Sequence, residues 1–284
     1  MTVKLTVLDP GPLTTVQDLG RRGFAHLGVP RSGALDEAAA RYANRLVGNP
    51  EDAAVLETTL GGVSLQVDGP TAVAVTGAPA AVTVDRRPRP FAEPMWLRPG
   101  ETLVVGHAAS GLRSYVALSG GVAVEPVLGS RSTDTLSGLG PSPLMAGDGL
   151  PLGEPVGDPH AVDVPVVLRH PDAVRLRLLP GPRLDWFAED ALARLTGGGY
   201  TVSPQSNRVG VRLDGEPLVR DRRGELPSEG LVLGAVQVPA SGKPLVFLND
   251  HPTTGGYPVV GVVAPEDLVL CAQLRPGATV RFVV

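Results

Sequence analysis

The chain has 284 residues, 43% of them hydrophobic and 19% charged, against roughly 25% charged in an average soluble domain. Its 36 glycines and 29 prolines show no repeat period, which indicates many turns between short strands and excludes collagen, coiled coil and intrinsic disorder. The net charge of −4 lacks a basic stripe, no apolar run reaches the ~20 residues of a membrane span, and the N-terminus lacks a signal pattern. We therefore expect a cytoplasmic protein that binds neither nucleic acid nor membranes.

Residues 1–160 are predicted to form a β unit that contains one clear helix. Alternation over Val3–Leu8 predicts a strand, and Leu13–Leu35 is expected to be a long functional polar loop. The helix is predicted over Asp36–Val47, with Asp36 as its N-cap, and a shorter helix over Glu51–Leu56. Six further strands are predicted at Val63–Val67, Ala72–Thr76, Ala81–Asp85, Met95–Leu97, Thr102–Val105 and Ser114–Leu118.

Residues 161–284 are predicted to form a second β unit, after a proline-rich linker at Glu154–Pro165. This unit is expected to contain a strand at Val174–Leu179 and a helix around Asp185–Leu195, which three glycines at 197–199 end. The single cysteine, Cys271, lies in the apolar run Leu268–Leu274, which we interpret as a strand. It is therefore expected to be a buried and inert thiol rather than a reactive one.

Two short internal similarities connect the halves. The segment Leu97–Leu103 resembles Leu274–Val280 around a Pro-Gly pair, and Asp9 through Thr15 resembles Asp250 through Thr254. Two related β units would explain both, but Pro-Gly is also a common turn before a strand. Both interpretations stay open at this point.

Six polar clusters near glycines are the candidate sites, since the sequence has no phosphate loop, no nucleophile elbow and no metal-ligand spacing among its five histidines. Thr, Gln and Asp side chains suit a small polar substrate, although each can also satisfy its own turn. Arg131 among hydroxyls suits a phosphate or carboxylate, and His251 beside Asp250 could carry a proton. The clusters are Thr14–Arg21, Pro30–Asp36, Leu128–Asp134, Val202–Gly210, Leu226–Gln237 and Leu248–Pro258.

Several segments, in this order, carry a family resemblance. They are Gly11–Arg21, Gly28–Asp36, Ala43–Asn49, Leu56-Glu57, Gly129–Thr133, Gly181–Arg183, Asp185–Phe187, Ser206–Arg208, Ser228–Gly230, Gln237–Pro239 and Thr253–Pro258. Together they resemble the carboxyltransferase domain shared by urea amidolyase and allophanate hydrolase subunit 2, whose stand-alone bacterial members are the KipA-like C subunits of ATP-dependent 5-oxoprolinase. The departures are Val209, where the family pattern has Met, and Pro252, where Gln is frequent.

The resemblance implies a mainly β fold of two cyclophilin-like β-barrel units with a few short helices. It also implies a hetero-oligomer with a KipI-like B subunit and an A subunit, in which ATP is used to convert 5-oxo-L-proline to L-glutamate. One alternative is a biotin-dependent carboxyltransferase acting on urea or a related amide, although this chain has no biotin attachment site. Another is a regulatory protein that antagonises a histidine-kinase inhibitor.

The resemblance and the polar chemistry together define the candidate residues. Arg131 and Arg208 would hold phosphate or carboxylate, and Gln17, Asp18 and Asn207 would position the substrate. As loop residues, Gln17, Asp18, Asn207 and Arg208 are expected to affect activity more than stability. The candidate catalytic residues are Asp18, Arg131, Asp250 and His251, and the candidate substrate-binding residues are Thr14, Thr15, Gln17, Ser32, Asn207, Arg208, Ser228, Glu229, Gln237, Thr253, Thr254, Gly255, Gly256 and Tyr257. No metal site is predicted, and the single chain is expected to be inactive alone.

Overall fold

The computed structural model describes residues 2–160, 166–222, 224 and 226–284. The chain divides into two compact units. The first contains the residues up to Arg21, then Ser32–Asp134 and Gly138–His170; the second contains Arg22–Arg31, Thr135–Ser137 and Pro171–Val284. Part of the predicted linker, residues 161–165, lies outside the described residues, and residues 154–160 contain no helix or strand.

Eleven antiparallel strands in two sheets build the first unit. The six-stranded sheet has the order β11-β1-β4-β9-β6-β7, and the five-stranded sheet has the order β2-β3-β10-β5-β8. The strands are β1 (Lys4–Asp9), β2 (Leu13–Gln17), β3 (Val55–Thr59), β4 (Val63–Val67), β5 (Thr71–Gly77), β6 (Ala80–Val84), β7 (Arg87–Arg89), β8 (Met95–Leu97), β9 (Thr102–Ala108), β10 (Arg113–Leu118) and β11 (Gly149–Pro151).

The two sheets share one apolar core, to which Leu5 and Leu65 contribute from one sheet and Val16, Leu56 and Val116 from the other. Alternate residues of each strand point into this core, as the two-residue period of a strand requires. Strands β5 and β10 are buried along nearly their whole length. Their second face is covered by helix α1, so these two central strands lack the polar alternation of a half-exposed strand.

Helix α1 spans Glu37–Leu46, and the Asp36 carboxylate accepts a hydrogen bond from the Ala39 amide at 3.0 Å. This confirms the predicted helix and its N-cap. Ala40 and Ala43 pack on the sheet, where their small side chains allow close approach. The helix stops at Gly48, which has a φ of +74°, and a Cβ there would lie 2.4 Å from the Gly157 carbonyl oxygen.

A closed seven-stranded barrel forms the second unit, in the order β12-β19-β16-β17-β14-β13-β20. The barrel closes through a parallel pairing of β12 with β20, and its other pairings are antiparallel. Strands β15 and β18 form a separate two-stranded sheet. The strands are β12 (Ala173–Pro180), β13 (Tyr200–Val202), β14 (Gly210–Asp214), β15 (Glu229–Gly230), β16 (Ala235–Gln237), β17 (Leu245–Phe247), β18 (Thr254–Gly255), β19 (Val259–Val263) and β20 (Thr279–Val283).

Helices α2 (Ala191–Gly197) and α3 (Leu268–Ala272) complete the second unit, with 3-10 helices at Ala25–Leu27, Leu184–Trp186 and Pro265–Asp267. The mainly β fold predicted from the family resemblance is confirmed. Among the described residues, no helix combines the length and hydropathy that crossing a membrane requires.

Four local predictions were wrong. The residues predicted as a short helix at Glu51–Leu56 form a turn and then enter β3, which pairs with strands on both sides. Leu13–Gln17 is strand β2 and not loop, and the run around Cys271 is helix α3 and not a strand. The helix predicted over Asp185–Leu195 is split into a 3-10 turn and α2.

The Pro-Gly similarity corresponds to one turn built twice. Gly100 and Gly277 have φ values of +81° and +87°. In the first turn the Glu101 amide donates to the Arg98 carbonyl, and in the second the Ala278 amide donates to the Arg275 carbonyl, both at 3.0 Å. Each glycine amide also donates to the last carbonyl of a neighbouring strand, at Val67 and Val202 respectively. The other similarity has no such counterpart, because Thr14–Thr15 lies in β2 and Thr253–Thr254 lies at a short exposed strand.

Candidate functional site

Asp18 follows β2 directly and fastens the Ser130–Ser132 loop to the end of that strand. Its carboxylate accepts hydrogen bonds from the Ser130 and Ser132 hydroxyls and from the Arg131 amide, each at 2.6 Å. It also accepts one from the Gly20 amide at 2.8 Å. Three of these donors bond to Oδ1 and one to Oδ2, so the Asp18 carboxylate holds the loop in place through both of its oxygens.

Gln17, the last residue of β2, belongs to the same cluster. Its Nε2 donates to the Thr15 hydroxyl and to the Thr133 carbonyl, both at 3.0 Å, and the Ser32 hydroxyl donates to the same carbonyl at 2.8 Å. Among the described residues, the buried Gln17 Oε1 finds no hydrogen-bond donor. The structure thus brings Gln17, Asp18 and Ser32 together with the Ser130–Thr133 loop, which lies far from them in the sequence.

Strand pairing aligns polar side chains on one face of the five-stranded sheet. Thr15, Glu57 and Tyr115 are register neighbours across β2, β3 and β10, and they share the face opposite the apolar core. Thr14 lies on β2 with its hydroxyl bonded to the Pro10 carbonyl at 2.6 Å. Thr14, Thr15 and Gln17 are fully or almost fully buried on a strand, whereas the sequence predicts a polar loop at these positions.

Sequence reasoning missed a buried polar network around Glu57. The Glu57 carboxylate accepts from the Tyr115 hydroxyl at 2.9 Å and the Leu35 amide at 3.0 Å, and Arg113 lies 3.5 Å away as its ion-pair partner. The Tyr115 oxygen accepts in turn from the Asp36 amide. Burial, and next the Glu57 charge, raise the pKa of Tyr115 well above its usual value. The network holds the segment before α1 against the sheet. In the sequence, the Leu56-Glu57 segment of the family resemblance is the signal that could have indicated it.

Arg131 presents its side chain from the loop that Asp18 holds. Its Nε donates to the Val124 carbonyl at 2.7 Å, and its amide is fixed by Asp18. Its two terminal nitrogens have no recorded partner within the described part of the chain. Arg21 is different, because it is buried and its Nη2 donates to the Ser132 carbonyl at 2.5 Å. Within the described residues, both terminal nitrogens of Arg131 are therefore without a hydrogen bond, whereas in Arg21 this holds only for the buried Nη1.

In the second unit, Arg208 and Asp250 form a buried, two-pronged ion pair. Arg208 Nε and Nη2 each lie 3.0 Å from a different Asp250 oxygen, and the two residues are 1% and 0% exposed. The Thr135 hydroxyl and amide add hydrogen bonds of 2.7 and 3.0 Å to the same carboxylate. Burial opposes ionisation, but Arg208 and Thr135 outweigh it and lower the pKa of Asp250.

His251 lies next to this pair but points its Nδ1 at a carbonyl. The ring Nδ1 is 2.7 Å from the Pro252 carbonyl oxygen and the ring packs 5.9 Å from that of Phe247. A carbonyl only accepts, so the neutral ring carries its hydrogen on Nδ1. Asp250 directs its carboxylate at Arg208 and Thr135, and no hydrogen bond between Asp250 and His251 side chains is recorded among the described residues.

A second group of candidate residues meets at the small β15–β18 sheet. Glu229 pairs with Gly255 and Gly230 with Thr254, and the Gln237 Nε2 donates to the Tyr257 carbonyl at 3.0 Å. Arg183 makes an ion pair with Glu229 that lowers the pKa of this carboxyl. Ser228 and Thr254 are exposed, while Thr253, Gly255 and Gly256 are half-buried and Tyr257 is 39% exposed.

Asn207 occupies an exposed turn before β14. Its Oδ1 accepts from the Val209 amide at 2.9 Å, so its side chain satisfies its own turn.

No group of three or more His, Cys, Asp or Glu side chains among the described residues is arranged to hold a metal ion.

Known proteins resemble this chain over nearly its full length. A family model described as carboxyltransferase domain, subdomain A and B, matches residues 27–284. The 5-oxoprolinase C subunit of Escherichia coli (strain K12) is 38% identical over 282 residues, covering 98% of this chain and 90% of that protein. The 5-oxoprolinase C subunit of Haemophilus influenzae is 33% identical with the same coverage. The crystal structure of Kluyveromyces lactis urea amidolyase matches with a TM-score of 0.91 and 31% identity, covering 99% of this chain and 18% of that one.

Proposed function

This chain belongs to the carboxyltransferase domain family, as its sequence resemblance indicated, and on this premise we propose that it is the C subunit of an ATP-dependent 5-oxoprolinase. The observation that carries the proposal is mutual coverage: the alignment takes in 98% of this chain and 90% of the Escherichia coli C subunit. By contrast, this chain spans only 18% of the urea amidolyase that shares its fold. Relatives named as subunits indicate a component of a multi-subunit hydrolase complex.

The proposed reaction converts 5-oxo-L-proline, ATP and two water molecules into L-glutamate, ADP and phosphate. A lactam resists hydrolysis because its amide is resonance-stabilised, and ATP supplies the phosphoryl group that activates the lactam oxygen. The proposed partners are a KipI-like B subunit, which would share the activation step, and an A subunit, which would complete the hydrolysis.

Arg131 is the residue of the first unit that best fits a phosphate or carboxylate. Asp18 fixes its backbone, the Val124 carbonyl orients its Nε, and the terminal nitrogens are left for a ligand. Gln17 and Asp18 act on this proposal as positioning residues, because their bonds are to the loop that carries Arg131. A well-held cation of this kind aligns a charged substrate without being a nucleophile.

Arg208 does not fit the ligand-holding role that the sequence favoured. Its Nε and Nη2 are both directed at Asp250, and its side chain is almost fully buried. We therefore assign Arg208 and Asp250 to the support of the loops around Asn207 and His251. On this proposal, exposed groups such as Thr254 are the ones available to contact a substrate or another protein of the complex.

A biotin-dependent carboxyltransferase acting on urea is the second candidate, favoured by the TM-score of 0.91 to urea amidolyase. It would require a biotin carboxylase and a biotin carrier from other chains. The two candidates differ in what the assembled protein consumes, which makes them separable by assay.

The test combines the purified chain with its proposed A and B partners and measures L-glutamate and ADP with 5-oxo-L-proline, or consumption of carboxybiotin with urea. We expect 5-oxoproline-dependent formation of both products, and Arg131→Gln should reduce it. The matched control is Arg89→Gln, which removes the same charge from the exposed strand β7 and should leave activity unchanged. Carboxybiotin consumption without glutamate formation would contradict the proposal.

A further inference from the structure

The parallel seam of the barrel places two arginines side by side on its outer surface. In β12 and β20, Val174, Leu176, Val280 and Phe282 are buried, so the alternate residues point outward. Arg175 and Arg281 are direct register neighbours in this pairing. Because register neighbours share a face of the sheet, the two exposed side chains start from adjacent positions on the same side.

Among the described residues, Arg175 and Arg281 lack the acidic partners that the nearby Arg177 has. Arg177, two residues along β12, makes an ion pair with Asp267 at 2.8 Å and with Glu266 at 3.3 Å. Within residues 2–160, 166–222, 224 and 226–284, no ion pair or side-chain hydrogen bond is recorded for Arg175 or Arg281. Like charges directly opposite each other destabilise a pair of strands, so this pairing opposes folding unless an anion offsets it.

A groove lies beside the two guanidinium groups. Ala173 and Thr279, the next register pair on the same face, are small, and a concavity of about 400 Å³ opens there. It is lined by Ala173, Val174, Arg175, Thr279 and Arg281. The backbone at Gly199 lies near its rim, since a Cβ there would be 3.8 Å from Thr279 Cγ2 and 3.9 Å from Arg281 Nε.

We propose that this groove binds a phosphate group, held between Arg175 and Arg281 with the Thr279 hydroxyl as an additional donor. Guanidinium forks match phosphate oxygens in charge-assisted pairs, and arginine is the side chain that does so in two-pronged fashion. A dianion balances both positive charges, whereas a simple carboxylate balances one. The ligand is inorganic phosphate or the phosphate end of a larger molecule such as a nucleotide.

This site is separate from the proposed function. Neither Arg175 nor Arg281 belongs to the candidate catalytic or substrate-binding residues, and both strands lie wholly within the second unit. A failure of phosphate binding would therefore leave the 5-oxoprolinase proposal standing, and the converse also holds.

The experiment measures binding to the full chain by calorimetry at 150 mM NaCl, with inorganic phosphate, ADP and acetate as three separate probes. We expect saturable binding of phosphate, little binding of acetate, and a loss of about tenfold or more in phosphate affinity for Arg175→Gln and for Arg281→Gln, as for the removal of one charge-assisted donor. Tighter binding of ADP than of phosphate would identify a nucleotide source, and equal binding would identify the free ion.

Two controls make the outcome decisive. Arg89→Gln, on the exposed strand β7 of the first unit, lowers the net charge by the same amount and should keep phosphate affinity. Melting curves provide a second readout. Without phosphate, both groove variants should melt no lower than the unmodified chain, because a repulsion has been removed. At the same phosphate concentration, the unmodified chain should be stabilised more than either variant. Absence of saturable phosphate binding, or equal losses in Arg89→Gln and the groove variants, would overturn the proposal.

Discussion

Removing the Asp250 carboxylate should destabilise the barrel strongly. The substitution Asp250→Ala deletes the acceptor of two Arg208 bonds at 3.0 Å and two Thr135 bonds at 2.7 and 3.0 Å, and leaves the Arg208 charge buried. Loss of one partner of a buried ion pair costs about 3–5 kcal/mol of unfolding free energy. At about 2–4 °C per kcal/mol for a protein of this size, the melting temperature should fall by about 6–20 °C.

The assay is urea unfolding followed by circular dichroism, with thermal melting as a second measurement. The matched control is Asp214→Ala, which breaks an exposed pair with Lys243 whose side chains are about half accessible, and should change the melting temperature little. A double variant, Arg208→Met with Asp250→Leu, removes both charges and should be more stable than Asp250→Ala. A melting temperature for Asp250→Ala that matches the Asp214→Ala control would refute the reasoning.

Three further predictions concern pH, loop support and the thiol. The pKa of Asp250 is lowered in the folded chain, so this carboxylate contributes its full stabilisation above the ordinary Asp pKa of about 3.9 and loses it as the pH falls through the lowered pKa. The difference in unfolding free energy between the unmodified chain and Asp250→Asn should therefore shrink below about pH 4. A difference that stays constant in acid would count against the ion pair. Asp18→Ala leaves four donors without their acceptor and should cost about 1–3 kcal/mol in urea unfolding, with an unchanged midpoint as the contrary result. Cys271 is fully buried and burial raises its pKa to about 12, so a thiol reagent should label it only after denaturant is added, and rapid labelling of the folded chain would contradict its burial.

Elements with strong local signals were predictable from the sequence. The Asp36 cap and the apolar face of α1 located that helix to within a residue at each end, and the alternating residues of Val63–Val67 located β4 at its observed bounds. The signals were local, since a cap and an alternating pattern need no knowledge of the rest of the chain.

The incorrect elements are those that tertiary packing decides. Leu13–Gln17 is rich in polar residues but becomes β2 because β3 pairs with it along its whole length. The apolar run at Leu268–Leu274 has no period that distinguishes a buried helix from a buried strand. In the structure, the 3-10 turn at Pro265–Asp267 leads directly into α3, which contains most of this run. In both places the neighbours in space, which a single sequence does not show, determine the structure.

For the candidate site, the sequence located the polar segments but not their partners. Asp18 and Ser132 are 114 positions apart, and only strand order and loop placement bring them to hydrogen-bond distance. The same holds for Arg208 and Asp250. Arg208 was predicted to hold a ligand, but its pairing with Asp250 buries it, and it supports the neighbouring loops instead. Residue type therefore indicated polar chemistry correctly, while burial decided which groups stay available to a ligand.

The most direct test of the proposed function is an omission experiment. The rate of L-glutamate formation from 5-oxo-L-proline and ATP is measured with the A and B partners together with this chain, with this chain left out, and with this chain alone. The account predicts glutamate and ADP in the complete mixture and neither in the other two. Equal glutamate formation with and without this chain, or turnover by the chain alone, would contradict it.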